Sequence, residues 1–211
     1  KVGEICLRNK VLIISDEIHF DLIMPGQSHT VFAKVSEELA DNMIVCTAPS
    51  KTFNLAGMQT SSIVISNPEI RAAYQREVES DGFFSLGILG YKACEIAYTS
   101  CEPWLEQLLK LVHDNHLAVK KFAGENLPAI KVFPLEGTYL QWMDFQGLGM
   151  NQDELEQFLH KEAELFFDEG HVFGEEGSGF ERMNLACPTK AVTDGLERLA
   201  DAIRRRGGAG N

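Results

Sequence analysis

Basic residues, paired cysteines and long apolar runs are all scarce in this chain of 211 residues, and each shortage removes a class of function. Nineteen Lys and Arg stand against 31 Asp and Glu, a formal net charge of −12 that argues against a general nucleic-acid binder. The basic run Arg204-Arg205-Arg206 suits the end of a last helix, where cations oppose the helix dipole. The five cysteines form no CxxC and no His/Cys ligand spacing, so no metal centre is expected. Cys46 and Cys187 lie in apolar runs, as free thiols of a reducing, cytoplasmic protein do. No apolar run reaches the ~18 residues of a membrane span. None of Ser50, Ser85 and Ser100 has a nucleophile-elbow context.

What is present is an ordinary globular composition, 45% hydrophobic and 24% charged, enough for one large domain or two small ones. Residues 1–10 read as the end of a helix feeding a strand, so the chain is expected to be part of a longer protein. Short continuous apolar runs predict buried parallel strands at 11–15 and 43–47, with a third strand at 61–66. A helix is expected over 30–42 and a polar loop over 48–59. Asn67 and Pro68 open a helix to about 81, a loop is expected over 82–90 and a helix over 91–98, and Pro103 opens a long helix to about 126, with Trp104, Leu105, Leu108, Leu109 and Val112 on one face. Beyond Pro128 the pattern changes to hairpin-like strands at 130–134 and 138–145, a helix capped by Asn151 and Glu154, a short strand within 166–173, a strand at 180–187 and a terminal helix from 189. Gly174–Gly179 is glycine-rich but acidic and reads as a mobile loop. The expected class is α/β, part of a mostly parallel sheet over 1–101 followed by an α+β domain over 102–211 that begins in the long helix.

Three side chains carry candidate chemistry. Lys51 follows the second strand among Ala48, Pro49, Ser50 and Thr52; it is either a solvated lysine or an amine whose neighbouring hydroxyls and loop amides suit a phosphate ester, with partial desolvation freeing it to act. Asp16 ends the first strand; it is either a loop cap or a buried carboxylate for a protonated ring nitrogen, with Glu17 facing the other way and His19 within reach of the same side. Arg182 fits a surface position on an edge strand and equally a guanidinium fork for a substrate carboxylate. His113 and His116, three apart without an acid partner, read as core or surface residues rather than ligands.

Four segments, Ser15–Asp21, Ala48–Gly57, Glu136–Trp142 and Arg182–Pro188, resemble in order and spacing the C-terminal portion of fold-type I pyridoxal phosphate (PLP) enzymes of the class I/II aminotransferase superfamily, above all the cystathionine β-lyase-like branch of C–S lyases. The resemblance implies that Lys51 is the Schiff-base lysine and proton shuttle. It implies further that Asp16 pairs with the pyridine nitrogen, His19 lies near the phenolic oxygen, Ser50 and Thr47 contact the phosphate, Arg182 binds the substrate carboxylate, and Tyr139 lines the substrate side. His19 and Gln59 stand where many aminotransferases have a tyrosine and an arginine, and both choices favour lyase over transaminase. Family members are roughly twice this length, so an N-terminal half that completes the pocket, and a homodimer, are implied.

The resulting expectation is an α,β-elimination from cystathionine or a cysteine S-conjugate, acting on a small amino acid and on neither nucleic acid nor membrane. An aminotransferase is the alternative within enzymes. Two further readings are a PLP-sensing domain of a transcription regulator and a fragment that binds no PLP.

Overall fold

Alternation and capping in the first 106 residues build a small sheet with helices around it. The structure, a computed structural model, describes residues 1–83 and 85–208. It divides into two compact units, Lys1–Glu106 and Gln107–Asn211. Residue 84, in the loop expected over 82–90, and residues 209–211 lie outside the described residues.

In the first unit, helix α1 (Val2–Arg8) leads to strand β1 (Ile13–Asp16). Strand β2 (Met43–Thr47) pairs parallel to it, and β3 (Ser62–Val64) pairs antiparallel to β2. The third strand therefore departs from the expected parallel arrangement: the link from β2 to β3 contains no full crossover helix, and a short connection returns the chain antiparallel. Ile13, Leu39, Met43 and Val45 form the buried cluster, with Cys6, Leu7, Phe32 and Ala33 packed on it. Gly3 of α1 sits against Leu39 so closely that a Cβ there would lie 2.6 Å from a Leu39 methyl.

The helix expected over 30–42 is two pieces, a single 3₁₀ turn (Phe32–Lys34) and α2 (Glu37–Asp41). Ser36 breaks it. Its backbone is extended, and its Oγ accepts from the Leu39 N–H at 3.2 Å, capping the second piece. The loop expected over 48–59 contains α3 (Pro49–Thr52), started by proline at its first position, and a 3₁₀ turn (Ala56–Met58). Helix α4 (Pro68–Ser80) begins as predicted, the Asn67 side chain accepting from the Glu69 and Ile70 N–H groups. Helix α5 (Ile88–Ser100) and the long α6 (Glu102–Asn126) follow.

In the second unit, α6 buries Val112, Asn115, His116, Val119 and Ala123, one stripe at helical spacing. This stripe lies further along than the one expected around Trp104–Val112, and Trp104 is exposed. Strands β4 (Lys131–Val132), β5 (Leu140–Asp144), β6 (Asp168–Glu169) and β7 (Phe180–Asn184) form an antiparallel sheet in the order β4-β5-β7-β6. Gln141, Met143, Glu181 and Met183 point to its buried face; Trp142, Phe180 and Arg182 point to the other. Helix α7 (Gln152–Gln157) opens with the predicted capping box of Asn151 and Glu154, continues as a π-turn (Phe158–Glu162), and is followed later by α8 (Thr189–Gly208) with Val192, Leu196, Leu199 and Ala202 buried. The basic run of α8 ties down the π-turn: Arg205 donates to the Glu162 carbonyl at 2.7 Å and Arg206 pairs with its carboxylate at 3.2 Å.

Gly174–Gly179 is pinned rather than loose. Gln152 Oε1 accepts from the Gly179 N–H at 3.0 Å and from Ser178 Oγ at 3.2 Å, and a Cβ on Gly177 would fall 2.1 Å from the Gly170 carbonyl oxygen. The glycines there serve close backbone approach.

Candidate active site

The parallel register of β1 and β2 sets Asp16 opposite Cys46. Both strands then leave the sheet at the same edge, one into Glu17–His19 and the other, through Thr47 and Ala48, into α3 with Ser50 and Lys51. The amine and the acid singled out in sequence thus belong to one edge of one sheet. Lys51 is exposed, Thr47, Ser50 and His19 are half-buried, and among the described residues neither Lys51 nor Asp16 is in an ion pair.

Of the two readings of Asp16, the residues present show the loop cap rather than the buried carboxylate. Asp16 is exposed, its Oδ1 accepting from the Ile18 N–H at 3.2 Å, and Glu17 is the buried acid. Alternation turns Ile13, Ser15 and Glu17 toward the packed side and Ile14 and Asp16 toward the open side, where Ile14 is 68% exposed. Lys51, likewise, is not desolvated by the residues present.

Glu17 anchors the following loop. It accepts from Ser15 Oγ at 3.0 Å and the Phe32 N–H at 3.1 Å, and lies 2.8 Å from His29 Nε2. Burial alone would raise its pKa, but His29, the Phe32 N–H and Ser15 together hold it below the usual carboxylate range. A second anchor reaches the lysine helix itself. Thr52, fully buried and next to Lys51, donates from Oγ1 to Asp21 Oδ2 at 3.0 Å, and the Tyr98 hydroxyl donates to the same oxygen at 3.4 Å. Burial lifts Asp21 above its ordinary value against both hydrogen bonds. Burial first, and the Asp21 charge next, push Tyr98 up to about 12. Glu17, Asp21 and Thr52 lie within Ser15–Asp21 and Ala48–Gly57, yet their partners His29 and Tyr98 are remote in sequence and gave no local signal. Beyond Lys51, Phe53, Ile96, Ala97, Cys101 and Trp104 line an open apolar groove of about 490 Å³.

The second unit holds Arg182 and Tyr139. Arg182 Nε and Nη2 both donate to Asp168 Oδ2, at 3.1 and 2.9 Å, and the guanidinium lies 4.6 Å from the Phe173 ring centre. Trp142 stacks on Phe180 with ring centres 5.8 Å apart, on the same open face. Burial raises the Tyr139 phenol, and the nearby Arg182 charge works against that. Thr138, just before it, holds a φ of +64°, costly for a β-branched residue, and its Oγ1 accepts from the Leu140 N–H at 3.1 Å. His116 is a satisfied core residue, its Nδ1 2.6 Å from Gln141 Oε1, with burial lowering its pKa. Asn115 Nδ2 donates to the Leu185 and Cys187 carbonyls, both at 2.9 Å, and so fixes the chain leaving β7. All five cysteines are free. Among the described residues no cluster of His, Cys, Asp and Glu could hold a metal ion, and no helix is long and apolar enough to cross a membrane.

Known proteins resemble this chain over nearly its whole length. The sequence profile of the aminotransferase class I and II family matches residues 1–203. Cystathionine beta-lyase PatB of Bacillus subtilis is 37% identical over 203 residues, 96% of this chain and 52% of its own length. The structure of cystalysin from Treponema denticola, which contains a pyridoxal 5'-phosphate cofactor, is 48% identical with a TM-score of 0.94 over 97% of this chain and 52% of that one. A PLP-bound C–S lyase of Staphylococcus hominis is 30% identical with a TM-score of 0.85, over 96% of this chain and 49% of its own. The chain spans about half the length of the curated relatives it matches.

Proposed function

Since the chain belongs to the aminotransferase class I and II family, we propose that it is the cofactor-lysine and carboxylate-binding portion of a PLP-dependent C–S β-lyase. Its substrate is cystathionine or a cysteine S-conjugate, and its products are a thiol, pyruvate and ammonia. The observation that carries the reading is the β1–β2 register, which delivers Asp16 and Lys51 to one sheet edge, with neither in an ion pair among the described residues. The donor set fits the cofactor: an amine for its aldehyde carbon, a carboxylate for its ring N–H, hydroxyls of Ser50 and Thr47 for its phosphate, and His19 for its phenolic oxygen. When bound, PLP supplies an electron sink for the pair left on the substrate Cα. Lys51 anchors the cofactor and takes the Cα proton; Asp16 keeps the ring nitrogen protonated; Arg182 holds the α-carboxylate, with Tyr139 beside it.

The elimination balances without an oxidant. The Cα–H bond breaks to Lys51, the Cβ–S bond breaks with its electrons on sulfur, and the thiolate takes a proton. The released 2-aminoacrylate tautomerises and adds water to give pyruvate and ammonia. The similarity to proteins named as lyases supports lyase over aminotransferase chemistry. We place residues 1–101 in the PLP-binding domain and 102–211 in a smaller C-terminal domain, in a cytoplasmic homodimer. The complete protein should release pyruvate from cystathionine with no keto acid added. A strict keto-acid requirement would move the assignment to the aminotransferases.

A further inference from the structure

Arg182 already holds an anion. Asp168 stands directly opposite it in the β6–β7 register, so backbone pairing sets their meeting. The Nε and Nη2 donors converge on the single oxygen Oδ2, and Phe173 flanks the guanidinium. That Nε/Nη2 edge is one through which arginine takes a carboxylate side-on. A ligand carboxylate approaching through that edge meets occupied donors with a like charge beside them. The pair is also exchangeable, because its side chains are 30% and 53% exposed and water screens them.

Resting on the assignment of Arg182 as the carboxylate site, we propose that Asp168 is an internal occupant of that site. It keeps the guanidinium flat and aimed before binding and is traded for the ligand carboxylate, and so sets the affinity for carboxylate-bearing amino acids. Asp168 acts through Arg182 as a positioning residue. The aromatic flank makes the trade workable, since Phe173 holds the plane of the guanidinium after Asp168 lets go.

The test titrates the complete holoenzyme with L-alanine, which has no β leaving group, and with ethylamine, the same amine without a carboxylate, reading the cofactor absorbance. Asp168→Asn should lower the Kd of L-alanine about three- to five-fold and leave that of ethylamine unchanged. Asp168→Glu should restore the parent value to within about twofold. Arg182→Lys should raise the L-alanine Kd by about tenfold or more and spare ethylamine. An L-alanine Kd that is unchanged or raised in Asp168→Asn, with Arg182→Lys still weakened, overturns the competition. If Arg182→Lys binds L-alanine as tightly as the parent, the carboxylate assignment itself fails and the proposal falls with it.

Discussion

Replacing Glu181 by Gln should flatten the pH dependence of stability in the second unit. Glu181 is fully buried on β7, and among the described residues neither carboxylate oxygen has a hydrogen-bond partner. Burial first, then the charges of Glu169, Glu156 and Asp168, push its pKa up from 4.5 to about 8. The folded chain thus holds a proton that the unfolded chain releases at lower pH. The stability from this group is complete below about pH 4.5, falls as pH rises, and levels off above about 8. At about 1.4 kcal/mol per unit, the loss is on the order of 3 kcal/mol by pH 7 and at most about 5 above pH 8. Gln has the same shape and cannot ionise. Amide exchange read by mass spectrometry on peptides covering 140–144 and 180–184, corrected for intrinsic rates, should show parent protection falling between pH 5 and 9 while Glu181→Gln stays level. Parallel profiles for the two proteins, or a variant weakened equally at every pH, would refute the buried-acid assignment.

Two further substitutions test the anchors around the site. Asn115→Ala should cost about 2–3 kcal/mol in urea unfolding, since it strands the Leu185 and Cys187 carbonyls at the end of β7; a loss under half of that would place those carbonyls in contact with water. Thr52→Val keeps the buried shape and removes the donor to Asp21, and should lower stability by about 1–2 kcal/mol by thermal denaturation. No change would mean that the Asp21–Thr52 link contributes nothing.

Features set by neighbouring residues were legible in sequence. The Asn67-Pro68 start and the Asn151/Glu154 capping box have their determinants within four positions, and both form as read. The apolar runs that became β1 and β2 were equally plain. Pairing direction was not, because nothing within 62–64 says that β3 runs antiparallel to β2. Alternation told that Asp16 and Glu17 face opposite sides but not which side is packed, and so it left open whether Asp16 is buried or caps the loop. Asp168 escaped notice because β6 is two residues long and its meeting with Arg182 depends on register with β7. Lys51 was visible through its hydroxyl-rich surroundings, whereas the Thr52–Asp21–Tyr98 link behind it spans a separation no local pattern reveals.

The most direct test of the central claim is chemical capture of the cofactor. Borohydride treatment of the complete PLP-loaded protein, followed by digestion and mass spectrometry, should leave a pyridoxyl phosphate adduct on the peptide carrying Lys51, and Lys51→Ala should carry none there. An adduct on a different lysine, or none in a protein that has bound PLP, would contradict the account.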